Sequence, residues 1–143
     1  MDSLAKSMIL RLEEAGISGA VLVRERTESK DFGNAEAVFQ VGSLVLRFIR
    51  ERGEDFLDIG ATARPEQFYQ FDDLRIAMGW TSIDEVLAKR EPENLAQVLA
   101  RARKHLGELH EALSGERERL TRAKIERAAR DRGDAFMKRL RGR

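Results

Sequence analysis

At 143 residues, with 42% hydrophobic and 36% charged side chains, the chain reads as one globular, charge-rich domain large enough for a real core. The absence of cysteine excludes a disulfide scaffold, a thiol nucleophile and a Cys-based zinc site, and it fits a reducing compartment. No apolar run approaches the roughly 20 residues of a membrane span, and the opening MDSLAKSMILRLEEAG lacks a signal-peptide core, so the expected location is cytoplasmic and no membrane partner is expected.

The net charge of +1 conceals a division. Residues 116–143 hold 11 Lys/Arg against 5 Asp/Glu, a net +6, whereas residues 1–115 are net −5. An acidic body with a basic C-terminal arm points to a charged partner, or to an arm and body that attract each other.

Residues 3–15 predict an amphipathic helix with Leu4, Met8, Leu12 and Ala15 on one face and Gly16 as its stop. Ala20 to Thr27 predicts a strand that enters the polar loop Glu28–Asn34. Phe32 in that loop is either an anchor tucked into the core or an exposed contact.

The stretch Leu44 to Gly60, LVLRFIRERGEDFLDIG, organises the fold. If the chain reverses at Arg52-Gly53, Phe48 faces Leu57, Leu46 faces Ile59 and Leu44 faces Ala61, while Arg47 meets Asp58 and Arg50 meets Asp55. Apolar then pairs with apolar and base with acid, and a slip of one residue would set Phe48 against Asp58. Gly42-Ser43 suits a two-residue type II′ turn, which sets Val41 opposite Leu44, Phe39 opposite Leu46 and Ala37 opposite Phe48. One face is therefore apolar. The other carries Arg47 and Asp58 with Val38, Val45, Ile49 and Phe56, and is too apolar to be wholly wet.

After Gly60 the chain is expected to leave the sheet. Phe68, Tyr69, Phe71 and Trp80 fall within 13 residues. Asp72 or Asp73 is a candidate cap for a short helix ended by Gly79, and Ser82 with Glu85 has the spacing of a capping box. Pro92 suits the first turn of the next helix, in which Leu95, Leu99, Ala102, Leu106, Leu109 and Leu113 repeat at intervals of four and three. Ser114-Gly115 interrupts that seam. A second helical stretch runs from Glu116 to about Leu140, with Leu120, Ile125, Ala128, Ala129, Phe136 and Leu140 as its apolar residues. The two form either a helical hairpin or one bent helix, the short connection favouring the hairpin.

The expected architecture is thus a single α+β domain over residues 1–143. Residues 1–90 hold an N-terminal helix, a three- to four-stranded antiparallel meander and short helices. Residues 91–143 hold a helical hairpin with the basic arm.

Chemistry is thinly signalled. His105 and His110 are five apart, which places them about 140° apart around a helix, and they are expected on its surface rather than on a shared metal. Asp55, Asp58, Asp72 and Asp73 are explained by arginine pairs or capping. The chain has no G-x-S-x-G, G-x-G-x-x-G or G-x-x-x-x-G-K-[ST], so no catalytic residue, cofactor or metal is assigned. DDLRIAMGWTSIDEVLAKR has a helix-turn-helix outline, but Asp84 and Glu85 would face phosphate. Tyr69, Trp80, Asp72 and Asp73 are the candidates for contact with a protein partner, since Tyr and Trp favour interfaces. Arg117, Arg122 and Arg130 are the candidates for the alternative, nucleic-acid binding through the arm.

The phrase LRFIRERGEDFLDI, Leu46 to Ile59, with Phe68-Tyr69 and Asp72-Asp73-Leu74 after it, resembles small bacterial α+β proteins. Most of these are uncharacterised, and some lie beside polymorphic toxins and are read as immunity proteins. The resemblance covers about a quarter of the chain and carries no catalytic residues. It implies a non-catalytic cytoplasmic binder that covers a toxin domain, its acidic body set against a basic target.

Overall fold

A computed structural model describes residues 3–28, 34–91 and 93–142. Phe32 and Pro92 lie outside the described residues. Helix α1, Leu4–Glu14, opens on Ser3, whose side chain accepts a hydrogen bond from the Lys6 N–H, and closes before Gly16, which takes φ 80°. Strands β1 (Val21–Glu28), β2 (Asn34–Val41), β3 (Leu44–Glu51), β4 (Glu54–Ala61) and β5 (Phe68–Gln70) follow, then helices α2 (Phe71–Ala77), α3 (Ile83–Ala88), α4 (Leu95–Lys104), α5 (Leu106–Ala112) and α6 (Arg117–Arg141). The chain is α+β, as its patterning implies, with five strands where three or four were expected.

The five strands form one antiparallel sheet in sequence order. Every expected pairing across the two central hairpins is present: Val41 with Leu44, Phe39 with Leu46, Phe48 with Leu57, Arg47 with Asp58 and Glu51 with Glu54. Arg52 and Gly53 both take positive φ, 51° and 79°, the condition for a type I′ turn. At the other turn only Gly42 does, at 59°, as type II′ requires.

The expected apolar face is buried throughout, with Ala37, Leu44, Phe48 and Ile59 fully enclosed. Residues from α1, α2, α4 and α6 join it in a single core, as do Leu109 of α5 and Leu113 just after it. The leucine seam therefore serves the sheet as well as its neighbouring helices. It is also broken: the helix stops at Lys104 and restarts at Leu106, so α4 and α5 are two helices flanking His105. Asn94 opens α4 through a full capping box with Gln97.

Among the described residues the opposite face is covered by side chains rather than by a second layer. The Arg47 guanidinium lies 4.3 Å above the Phe68 ring and binds Asp58 at 2.7 Å, and Val38 and Val45 are buried on that face. A Cβ on Gly60 would strike Val45 and the Gln67 carbonyl oxygen, so this crossing point admits only glycine. At the hairpin end the cover runs out, and Phe56 is 44% exposed.

Three expectations need correction. The chain does not leave the sheet at Gly60: it returns as β5, pairing Phe68, Tyr69 and Gln70 with Gly60, Ile59 and Asp58. Neither Asp72 nor Asp73 caps α2. Gln70 holds the cap position without a side-chain bond, and both acids lie in the first turn, where their charge still opposes the positive helix end. Only half of the Ser82 box forms, because Glu85 accepts instead from the Thr81 hydroxyl. The arm, α6, follows α5 across Ser114 and Gly115 and touches it, but packs chiefly on α2. Ile125 and Ala128 are buried there, whereas Leu120, Phe136 and Leu140 are exposed.

Candidate partner-binding cleft

The aromatic segment divides between core and surface. Tyr69 sits on β5 opposite Ile59 and is 7% exposed. Burial, helped by the nearby Glu118 charge, pushes its phenol above the ordinary pKa. Asp73 is buried as well, and accepts hydrogen bonds from Arg132 of α6 at 2.5 and 3.1 Å. These two residues hold the fold together and are not available to a partner. Trp80 is half-buried and stacked on His105, ring centroids 3.8 Å apart and planes 11° from parallel. Of the four candidates, Asp72 and the outer edge of Trp80 reach the surface.

Both histidines are packed rather than free on a helix surface. His105 fills the α4–α5 break against Trp80, with Nδ1 3.1 Å from Glu108. The His110 ring presses on Gly42, and its Nδ1 lies 2.9 Å from the Ser43 hydroxyl, tying the β2–β3 turn to α5. Among the described residues no group of three His, Asp or Glu could hold a metal ion.

Asp72 belongs to a charge cluster that sequence reading did not find. Its centre is Glu93, which binds Lys89 at 2.6 Å and Arg101 at 2.5 Å, with Arg75 3.6 Å away. Arg75 also binds Asp72 at 3.2 Å. Burial pushes the Glu93 carboxyl up, but the bonds from Lys89 and Arg101 outweigh it and hold the pKa below the usual carboxylate value. The cluster makes one wall of a cleft of about 740 Å³ that runs along β4.

The floor of this cleft follows from the shortness of β5. In a two-residue hairpin the residues flanking the turn are a hydrogen-bonded pair, and the direction of N–H and C=O then alternates along the strand. Glu54, Phe56, Asp58 and Gly60 thus turn their backbone groups toward β3, and Asp55, Leu57 and Ile59 turn theirs outward. Counting from the β2–β3 turn gives the same parity. Ile59 meets Tyr69, but β5 ends at Gln70. The β4–β5 ladder ends at the Asp58–Gln70 pair, so no described strand lies beside the outward N–H and C=O groups of Asp55. Leu95 and Val98 of α4 and Phe71 of α2 line the core side, and Phe56 and Ile49 the other.

On α6, Arg117 binds Glu111, Arg122 lies 3.8 Å from the buried Glu118, and Arg139 binds Asp84. Arg130 is exposed and has no ion pair among the described residues, as are Arg119, Lys124 and Arg127. By 100° steps Arg119, Arg127 and Arg130 fall on the side of the helix opposite Ile125 and Ala128, and Lys124 lies on its flank. The arm's charge is therefore sorted: part is fixed to the body, and part faces outward with Glu126 and Asp131 among it.

The chain matches none of the protein-family models, curated proteins or solved structures with which it was compared.

Proposed function

We propose that the chain is a non-catalytic protein-binding domain, used in the cytoplasm in the manner of an immunity protein that covers a toxin domain. The observation that supports it best is the unfilled edge of β4 at the floor of the cleft, beside the exposed ring of Phe56. A strand edge with no described strand beside it and an exposed aromatic ring together favour a partner that is itself polypeptide. The net −5 of residues 1–115 suits a basic target. No helix of the described residues is long and apolar enough to cross a membrane.

The test is capture of partners from native lysate by the tagged chain, with and without nuclease, followed by titration calorimetry of each purified partner. A nuclease-resistant protein that binds in calorimetry and is lost to Phe56→Glu supports the reading. Partners that all vanish with nuclease count against it.

The outward cations of α6 favour a second reading, nucleic-acid binding. Of the three arginines expected to carry it, Arg130 faces solvent and Arg117 and Arg122 are engaged. Fluorescence anisotropy with labelled duplex and single-stranded oligonucleotides at about 50 and 200 mM salt tests it, since phosphate contacts weaken steeply over that range. Sub-micromolar binding at the lower salt, abolished by reversing Arg119, Arg127 and Arg130 to glutamate, would establish this reading over the first.

A further inference from the structure

We infer that the cleft receives an extended segment of the partner as a strand added to β4, filling the place that β5 leaves open. This rests on the protein-binding reading and specifies its mode. Strand addition needs an edge with unpaired backbone groups, room beside it, and side-chain environments that differ on the two faces of the incoming strand. The edge is Glu54 to Leu57, which runs beyond the end of the β4–β5 ladder, so that no described strand meets the outward N–H and C=O groups of Asp55. The room is the cleft of about 740 Å³. Elsewhere along β4 the same outward groups meet β5, so the added strand continues a ladder already begun at Ile59 and Tyr69.

The faces define what the segment carries. Side chains of an extended peptide alternate. Those turned to the core side meet Leu57, Leu95 and Val98, with Arg11 of α1 on the same wall. Those turned the other way meet Phe56 and Ile49, and at the hairpin end Glu51 and Glu54. Neither of these two glutamates has an ion pair among the described residues, and with Arg52 between them the turn remains net acidic. The other acids nearby are engaged, Asp55 by Arg50 and Asp58 by Arg47. The segment that fits is therefore apolar on both faces, with a lysine or arginine on the Phe56 face near the turn. A second copy of the chain is a poor occupant, because its own β4 edge lies at the floor of its own cleft and would bring Glu51 and Glu54 against their like.

The test uses the full chain and a phage-displayed library of random heptapeptides. The best peptide is synthesised with a single N-methyl group at each position in turn. A strand on β4 bonds through alternate residues, so alternate N-methyl groups should weaken binding at least about tenfold, and the positions between should leave it nearly unchanged. The Asp55 and Leu57 amides should exchange more slowly in the complex, and Phe56→Glu should weaken binding while leaving the circular dichroism spectrum intact. Binding that ignores N-methylation, or leaves those two amides unprotected, overturns strand addition while the protein-binding reading stands. Failure to select any peptide, with no protein captured from lysate, overturns both. Protection of the two amides that rises with the chain's own concentration, without peptide, identifies a second copy as the occupant and also overturns the proposal.

Discussion

Asp73 and Arg132 lie 59 positions apart and meet through two hydrogen bonds, 2.5 and 3.1 Å, that fasten α6 to α2. Asp73 raises the Arg132 guanidinium above its ordinary pKa by hydrogen bonding, against the cost of burial. The carboxylate side chain is 6% exposed and the arginine 28%, so removal of either leaves the other poorly solvated. Arg132→Ala should destabilise by about 2–3 kcal/mol, below the range for a wholly enclosed pair because the arginine keeps some water. Urea denaturation measures this, and the double variant with Asp73→Ala should cost less than the two single losses combined.

Phe48→Ala and Leu57→Ala should each lower stability by about 2–5 kcal/mol, because they face each other across β3 and β4 on the buried side. Arg47→Ala should cost more than an exposed ion pair would, about 1–2 kcal/mol. Its guanidinium covers Phe68 as well as binding Asp58. Equilibrium unfolding of the three variants checks the order.

The central hairpins were legible because turn residues and cross-strand pairs specify register locally, and one slipped residue would have placed Asp58 against Phe48. β5 was not legible. At three residues it has no alternation to read, and its aromatics look like a surface patch until Ile59 is placed opposite Tyr69. The break at His105 was hidden because the leucine spacing continues across it. Asp73–Arg132 and the Glu93 cluster depend on residues brought together only by tertiary packing. The cleft itself is the space left by a missing neighbour of β4, and a neighbour's absence leaves no mark in the residues of β4.

Glu93 should make stability fall in acid. Its folded pKa lies below the ordinary value of 4.5, so its contribution is complete above that pH and is lost as pH drops through the folded value. Glu93→Gln should be less stable than the parent at pH 7 and should lose less between pH about 5 and 3, the range where a depressed carboxylate takes up its proton. Thermal midpoints across that range measure the difference. Parallel curves for parent and variant would assign the acid sensitivity to other groups.

Two truncations separate the packed part of α6 from the part that runs past the body. Ile125 and Ala128 are the last buried apolar residues of the helix, and Arg132 makes the last bond to a buried partner. Beyond them Phe136, Met137 and Leu140 are exposed, and the ion pair of Arg139 is with the exposed Asp84. Removal of residues 135–143 should therefore shift the thermal midpoint by no more than a few degrees, as expected for surface changes of about 0.5 kcal/mol. Removal of residues 116–143 uncovers α2, leaves Asp73 without Arg132 and takes Ile125 out of the core. That chain should unfold at a much lower temperature and lose solubility through its exposed apolar surface. A large loss already caused by the shorter truncation would show that Phe136, Met137 and Leu140 are covered in solution, and size-exclusion chromatography of the parent would then reveal whether a second copy covers them.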